Sequence, residues 1–298
     1  MSRLTFWATA VVIGATLAIA PSAHATWPGS DGRIAFIRGN NVFTMDANGT
    51  HVQRVTAFRP GTGIDIASWS PDSAKLVFGH DEPQEFPQLW TVNADGTAAH
   101  KVFDDPDFGD QFPSFTPDGR AIVFMRCGPV GCPIYRVRLD GTGLKMLTPT
   151  QPDIIDIAPT FAPNGRALTF GSLNRGGVDA GVYIARPTGA DPRLLTPPEL
   201  QAFTPDWSPD SSTIVFQSNA LGSIYTIRPD GTDLTRLTST PTSHDQVPSW
   251  SPEGDAIAFE RNNADFSSVA VWVMRPDGSD LRLIQSNARA PRWSSATR

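Results

Sequence analysis

The sequence predicts an all-β fold in which six four-stranded blades form a ring, a six-bladed β-propeller. The first observation behind this prediction is a short motif, an aromatic residue followed by a Pro-Asp-Gly-type turn, that recurs along the whole chain. A repeat of about 20 to 50 residues is typical of propellers and solenoids. The second is composition: 25 glycines and 27 prolines among 298 residues suit many turns and disfavour a helical bundle.

The recurring aromatic residue marks the end of the first strand of each unit. Consecutive copies are separated by 46, 46, 46, 43 and 43 residues, and a proline stands two positions earlier in five of the six. The copies are Trp69, Phe115, Phe161, Trp207, Trp250 and Trp293. Chance does not keep such a register, so each copy marks one structural unit.

Three further strands follow the motif in each unit. After the turn, an apolar run such as Lys75–Phe78 has the pattern of a buried second strand. A third strand contains another aromatic residue, Trp90 in this unit, and ends at a tight Asp95-Gly96 turn. A short fourth strand completes the unit, and no long amphipathic helix interrupts the pattern.

The two ends of the chain supply complementary parts of one blade. Residues 32–36 have the pattern of a second strand without a preceding first strand, and residues 290–293 carry the missing first-strand pattern. We expect these segments to pair in one sheet, which removes two open edges and closes the ring. Residues 26–298 then form one propeller domain with about 45 residues per blade.

The N-terminal residues have the pattern of an export signal. Arg3 precedes an apolar stretch over residues 4–20, and the small residues Ala23 and Ala25 form a cleavage site. We therefore expect a signal peptide over residues 1–25 with cleavage before Thr26. The alternative is an uncleaved membrane anchor. No cysteine follows that could accept a lipid, so the prediction is a secreted or periplasmic protein without a membrane span after processing.

Charge narrows the classes of partner. The formal net charge is −6, 18% of the residues are charged, and no basic run occurs. Nucleic acid is therefore excluded as a partner, because phosphate binding needs a Lys/Arg-rich surface. We expect a monomer whose partner is a protein, a peptide or a glycan.

The Trp-Ser-Pro-Asp-Gly-type repeats, such as those beginning at Trp69, Trp207 and Trp250, resemble the repeats of the TolB-like six-bladed β-propellers. The resemblance covers essentially the whole mature chain. It implies the propeller fold, with repeat residues that pack the blades together, and it gives one functional hypothesis, an accessory protein of an envelope transport complex. No G-x-S-x-G nucleophile elbow, which would indicate a serine hydrolase, occurs in the sequence.

The connections after the second and fourth strands vary between units, whereas the other turns are short and similar. Binding residues concentrate on variable loops held by a rigid scaffold, so we expect the function on the face that carries these connections. An acidic residue also recurs where the first strands begin. The candidate binding residues are Asp65, Asp110, Asp156, Asp245, His80, His244, Arg175 and Arg261.

The recurring acidic residues allow two interpretations. Clustered around the mouth of the channel, they would attract a cation or a basic peptide. Alternatively, each carboxylate caps a neighbouring loop by accepting backbone N–H bonds, which is common for aspartate.

Two smaller features suggest a disulfide and a weak metal site. In an exported protein, Cys127 and Cys132 flanking a Gly-Pro turn predict a disulfide. Four carboxylates, Asp104, Asp105, Asp107 and Asp110, offer oxygen ligands suited to calcium, but their spacing lacks the distal glutamate of an EF-hand, which favours a solvated acidic loop. The histidines lack zinc-binding spacing, and no other cofactor is expected.

These observations lead to two main functional hypotheses. The first is a non-catalytic binding or scaffolding propeller. The second is a hydrolase or lyase that works in the channel with acids such as Asp110 or Asp245. His244 beside Asp245 would be an oriented base in the second hypothesis and an ordinary surface histidine in the first.

Overall fold

A computed structural model describes residues 29–295, which form six antiparallel sheets and two short 3-10 turns, Arg175–Gly177 and Pro198–Leu200. The predicted signal peptide and its cleavage site lie outside the described residues. The all-β six-bladed propeller predicted from the repeats is confirmed.

The strands follow the repeat register. Blade 1 contains β1 (Asp31–Arg38), β2 (Asn41–Asp46) and β3 (Gln53–Arg54). Blade 2 contains β4 (Gly63–Ile64), β5 (Ser68–Trp69), β6 (Lys75–Asp81), β7 (Gln88–Asn93) and β8 (His100–Lys101). Blade 3 contains β9 (Gly109–Phe115), β10 (Ala121–Cys127), β11 (Ile134–Arg138) and β12 (Lys145–Met146).

The second half of the chain repeats the arrangement. Blade 4 contains β13 (Ile155–Phe161), β14 (Leu168–Leu173), β15 (Ala180–Ala185) and β16 (Arg193–Leu194). Blade 5 contains β17 (Ala202–Trp207), β18 (Ile214–Ser218), β19 (Ser223–Ile227) and β20 (Thr235–Arg236). Blade 6 contains β21 (Ser243–Trp250), β22 (Ile257–Asn263), β23 (Val269–Met274) and β24 (Arg282–Ser286), and β25 (Arg289–Ser295) completes blade 1.

β25 forms the inner strand of blade 1, where it pairs antiparallel with β1 and places Trp293 opposite Ile34. Trp293 is buried and packs in a cluster with Val271 and Val273 of blade 6. The two ends of the chain therefore share one sheet, and the closing strand also contacts the neighbouring blade.

The hydrophobic core lies between adjacent blades. Trp69 and Phe78 of blade 2, for example, share one cluster with Ala35 and Ile37 of blade 1. The repeat aromatics are buried because each points from its own sheet onto the sheet before it, which explains why one aromatic recurs at each blade boundary. Burial of one such side chain contributes roughly 1.5–3 kcal/mol.

The inner strands contain a bend that the sequence pattern did not predict. In five blades the residue before the conserved proline has a positive φ angle; these residues are Phe112, Ala158, Thr204, Val247 and Ala290. All five bends fall at register shifts, within β9, β13, β17, β21 and β25. Blade 2 has Ala67 in place of the proline, and its inner strand is divided into β4 and β5.

Antiparallel order gives the ring two different faces. The turns between the first and second and between the third and fourth strands lie on one face, which we call the short-turn face. The remaining connections lie on the opposite face, which we call the loop face. Within residues 29–295 the model contains no helix of the length and apolarity needed to cross a bilayer.

Candidate functional site

Three of the predicted acidic residues lie near the loop face, where they are completely buried and paired with arginine. Asp245 accepts two hydrogen bonds from Arg261, with Nε–Oδ1 and Nη2–Oδ2 distances of 2.6 and 2.8 Å. Asp156 accepts bonds from Arg175 at 3.2 and 2.5 Å and from the Ser172 hydroxyl at 2.6 Å. The carboxylates are therefore turned into the protein.

Asp110 forms the third pair in a less symmetrical arrangement. Its Oδ2 lies 3.3 Å from Nη1 of Arg126, and Arg126 also binds Asp105 from the neighbouring connection. Burial raises the pKa of Asp110 to about 7, while the positive charge of Arg126 opposes that rise. One guanidinium thus ties the inner strand of blade 3 to the loop that precedes it.

Each of the three arginines also stacks on aromatic rings of its own blade. Arg261 lies 4.9 Å from the ring centroid of Trp272, Arg126 lies 4.3 Å from that of Phe108, and Arg175 lies 5.7 Å from that of Phe170. Cation–π contact and charge pairing together compensate the cost of burying these charges. Arg126 and Arg261 lie on the second strands of blades 3 and 6, opposite their aspartates, and Arg175 lies in the connection of blade 4. The pairs therefore hold together the loop-face ends of these three blades.

Asp65 occupies a different register from the other three acids. It stands four positions before its repeat aromatic, whereas Asp110, Asp156 and Asp245 stand five before theirs. Its carboxylate accepts the backbone N–H groups of Gly79, at 2.6 Å, and of Phe112 in the next blade, at 2.5 Å.

The Asp65 carboxyl group fills the space that a side chain on Gly79 would occupy. A Cβ atom on Gly79 would lie 2.5 Å from Asp65 Oδ2, so glycine is required there. Burial raises the pKa of Asp65 to about 7, against the lowering effect of its backbone hydrogen bonds and of Arg289. This residue links blades 2 and 3 through the backbone.

The two candidate histidines lie in different surroundings. His80 is buried, stacks on Phe58 at 3.8 Å between ring centroids, and donates from Nδ1 to the carbonyl of Gly63 at 2.9 Å. His244 is partly exposed and stacks on Phe266 at 4.8 Å. Because the carboxylate of Asp245 binds Arg261, it does not orient the ring of its neighbour His244.

The acidic segment around residue 107 does not gather its carboxylates at one point. Asp104 pairs with Lys101 at 2.9 Å, while Asp105 and Asp110 share Arg126. Across residues 29–295, no group of three or more His, Cys, Asp or Glu side chains is arranged to hold a metal ion.

The predicted disulfide is confirmed. Cys127 and Cys132 are bonded, with 4.1 Å between their Cα atoms. The bond closes the connection between β10 and β11, where Gly128 N–H also donates to the carbonyl of Gly131 at 3.1 Å. This loop is therefore anchored by Arg126 at its start and cross-linked at its base.

Sequence reasoning missed a second set of charges, which lies around the channel. Arg292 on β25 is fully buried, and burial lowers its pKa to about 10 despite the acidic groups of Asp206 and Glu260. Glu260 also accepts the backbone N–H of Ala290 at 2.9 Å. Comparison of the repeats could have singled out Arg292, because the equivalent residue in four other blades is serine or threonine: Ser68, Ser114, Thr160 and Ser249.

Fold and site together define a class: a six-bladed β-propeller whose variable loops are held by buried ion pairs. The family model of the TolB beta propeller domain matches residues 37–172 and 153–297, and the chain therefore belongs to this family. A comparison with curated proteins found no match.

Several solved structures share the fold of this chain. TolB from Acinetobacter baumannii is 22% identical with a TM-score of 0.75, and the match covers 89% of this chain and 67% of that one. A putative TolB from Agrobacterium tumefaciens is 21% identical with a TM-score of 0.67, covering 86% and 89%. Oligogalacturonate lyase from Vibrio parahaemolyticus is 16% identical with a TM-score of 0.56, covering 81% and 73%. At these identities the likeness shows the fold alone.

Proposed function

We propose that this protein is an exported, non-catalytic binding propeller that docks a protein, peptide or glycan partner on its loop face. The observation that carries the proposal is the anchoring of the variable loops by buried Asp–Arg pairs. Asp156–Arg175 holds the connection of blade 4 against its inner strand, and Arg126 joins Asp110 to Asp105 in the connection before blade 3. Asp245–Arg261 joins the first two strands of blade 6 at the end from which its connection leaves.

Anchored loops favour binding for an entropic reason. Ordering a side chain or loop on association costs free energy, so a surface that is already rigid retains more of its contact energy. The disulfide between Cys127 and Cys132 restrains one of these loops further.

The loop face presents large apolar side chains to solvent. Val130, Leu221 and Phe266 lie in the connections of blades 3, 5 and 6 and are 55%, 47% and 45% exposed. The ring of Phe266 is supported from one side by His244. Exposed apolar groups on a rigid frame favour contact with a protein or peptide over a purely ionic partner.

Export is supported by two independent features. The sequence begins with the pattern of a signal peptide, and the only two cysteines form a disulfide, which persists in oxidising compartments. Both features favour action in the cell envelope or outside the cell.

Site-specific photo-crosslinking tests the proposal. We would place a photoreactive phenylalanine analogue at Leu221 or Phe266 of the full chain in the producing cell. Matched controls are Leu144 and Leu234, which are similarly exposed, at 43% and 41%, but lie beside the outer strands. We expect one discrete adduct from the loop-face positions and none from the controls.

Serine substitutions complete the test. With the photoreactive residue at Phe266, Val130→Ser and Leu221→Ser together should abolish the adduct and leave the melting temperature unchanged. Identical adducts from the loop-face and control positions, or none from either, would contradict the proposal.

A further inference from the structure

Charge is distributed unequally over the six inner strands of the ring. Five of these strands carry one aspartate each and no lysine or arginine; the aspartates are Asp65, Asp110, Asp156, Asp206 and Asp245. β25, the strand that closes the ring, carries no acid and two arginines, Arg289 and Arg292. The closing strand therefore has the opposite charge to the other five inner strands.

Two of the aspartates occupy the same repeat positions as the two arginines. Asp206 stands directly before its repeat aromatic, as Arg292 does, and Asp65 stands four positions before its own, as Arg289 does. At each of these positions the remaining four blades have an uncharged residue. Because the blades repeat, equivalent residues lie at the same height along the axis of the ring. Opposite charges are therefore placed at two matching heights.

Arg292 is fully buried and has few hydrogen bonds of its own. Its Nη1 donates to the carbonyl of Val247 in blade 6 at 3.4 Å and to that of its neighbour Pro291, whereas Nε and Nη2 have no hydrogen-bond partner among residues 29–295. Burial lowers the pKa of Arg292, and the negative charges of Asp206 in blade 5 and Glu260 in blade 6 oppose that change. The charge of Arg292 therefore depends on acids from two other blades for its compensation.

Glu260 has an uncharged counterpart in blade 5 that separates its two roles. Both Glu260 and Gln217 follow the phenylalanine of a second strand, and each accepts the backbone N–H of the positive-φ residue on the next inner strand. Gln217 Oε1 accepts from Val247 at 3.0 Å, and Glu260 Oε2 accepts from Ala290 at 2.9 Å. The amide in blade 5 shows that this cap needs no charge. The charge of Glu260 is therefore available to Arg292, two positions after Ala290.

Arg289 connects the other end of β25 to blade 2. Its Nη2 donates to the carbonyl of Ile64 at 2.9 Å. Burial lowers the pKa of Arg289, and the negative charges of Glu260 and Asp65 oppose that change. β25 therefore meets acids on both sides, from blades 5 and 6 at Arg292 and from blades 6 and 2 at Arg289.

We propose that Arg289, Arg292, Asp206 and Glu260 form a charge latch that holds β25 in the ring, so that neutralising one of the acids releases this strand locally. Buried charges of opposite sign are tolerated together, whereas removing one partner leaves the other uncompensated and is strongly destabilising. The latch concerns closure of the ring and does not depend on the function proposed for the loop face.

Hydrogen exchange of the full exported protein, followed by mass spectrometry, tests the charge latch. Glu260→Gln keeps the cap on Ala290, as Gln217 does for Val247, and removes the charge. We expect the backbone amides of residues 289–295 to exchange about tenfold or more faster in this variant. Blade 4 should exchange within about twofold of the wild-type rate, because the latch opens one strand and not the whole ring.

Asp206→Asn tests the second acid of the latch independently. Asp206 Oδ2 accepts the backbone N–H of Trp250 at 2.7 Å, and the amide oxygen of asparagine can keep that bond while the charge is lost. This variant should accelerate exchange over residues 289–295 in the same direction as Glu260→Gln.

Two substitutions of Arg292 separate charge from size. Methionine and lysine have unbranched side chains of similar length, but only lysine keeps a positive charge. Arg292→Met should accelerate exchange in β25 about tenfold or more, and Arg292→Lys should exchange several-fold more slowly than Arg292→Met. Adding Glu260→Gln to Arg292→Met should slow exchange again, because the acid that has lost its partner is then neutral.

The control variant breaks a buried ion pair elsewhere in the ring. Asp156→Asn removes the counter-charge of Arg175 in blade 4. It should accelerate exchange in blade 4 and leave residues 289–295 within about twofold of the wild-type rate.

Three results would overturn the proposal. Unchanged exchange of β25 in both acid variants would leave Glu260 with the role of a cap alone. Equal acceleration of all six blades would show that the charges contribute to overall stability and not to a latch. Equal exchange of β25 in Arg292→Lys and Arg292→Met would make the contribution of Arg292 one of size and not of charge.

Discussion

Replacing Asp245 with asparagine should destabilise the propeller strongly, because the substitution leaves the buried Arg261 without its counter-charge. The Asp245 side chain is 0% and the Arg261 side chain 13% exposed, and both carboxylate oxygens accept from the guanidinium. Asparagine preserves the shape of the side chain but offers one neutral acceptor in place of a charged pair of oxygens.

The size of the effect follows from the surroundings of the pair. Breaking a buried ion pair from one side costs about 3–5 kcal/mol. Arg261 keeps its contact with Trp272 at 4.9 Å and retains slight exposure to water, so the lower end of that range applies. A loss of about 3 kcal/mol corresponds to a fall in melting temperature of about 6–12 °C for a chain of this size.

Removing both partners should cost much less than removing one. In the variant Asp245→Leu with Arg261→Met, no charge remains buried, so we expect a loss of about 1 kcal/mol or less. The single variant Arg261→Met should be the least stable, because it leaves a fully buried carboxylate with no opposite charge. A double-mutant cycle built from Asp245→Leu, Arg261→Met and the double variant then gives a coupling of at least about 2 kcal/mol.

Chemical denaturation followed by tryptophan fluorescence measures these differences. The control is Asp191→Asn, whose pair with Arg186 is about 70% exposed and should contribute no more than about 0.5 kcal/mol. If Asp245→Asn changed stability as little as the control, or if the double variant lost the sum of the two single losses, the pair would not be the loop anchor described above.

Three further outcomes are expected. Intact-mass measurement should show that no thiol-alkylating reagent reacts with Cys127 or Cys132 before reduction and that two groups are added after reduction. Replacing both cysteines with serine should lower the free energy of unfolding by about 2 kcal/mol. Burial raises the pKa of Asp31 from 3.8 to about 6, so the folded state retains a proton that the unfolded state has lost between these values. The contribution of Asp31 to stability should therefore be largest below about pH 4 and be lost as the pH rises through 6, and Asp31→Asn should remove this component from the pH dependence of the melting temperature. A chain ending at Ser286 loses β25 and should unfold or aggregate through the exposed edge of β1; a monomeric, normally melting product in size-exclusion chromatography would contradict the shared blade.

The sequence by itself determined the architecture of this protein. The repeat specifies the six blades because each aromatic, proline and turn acts locally, within one strand or one tight turn, and the register is kept from Trp69 to Trp293. The disulfide between Cys127 and Cys132 was predictable for the same reason, since its partners are five positions apart.

Only the tertiary structure decided what the charged residues do. The carboxylates of Asp110 and Asp245 are paired with arginines 16 residues away, and that of Asp156 with Arg175, 19 residues away. Their partners come from the second strand in two blades and from a 3-10 turn in the third, so no common spacing identifies them. Asp65 falls in another register and bonds to backbone groups, one of them in the next blade.

Closure of the ring shows the same limit from the other direction. β1 and β25, 258 positions apart at Asp31 and Arg289, are brought into one sheet only when the whole chain has folded. Repeats encode what every blade has in common, because neighbouring blades pack by the same contacts. Positions that differ between blades acquire their role from closure of the ring, and closure is a property of the whole chain.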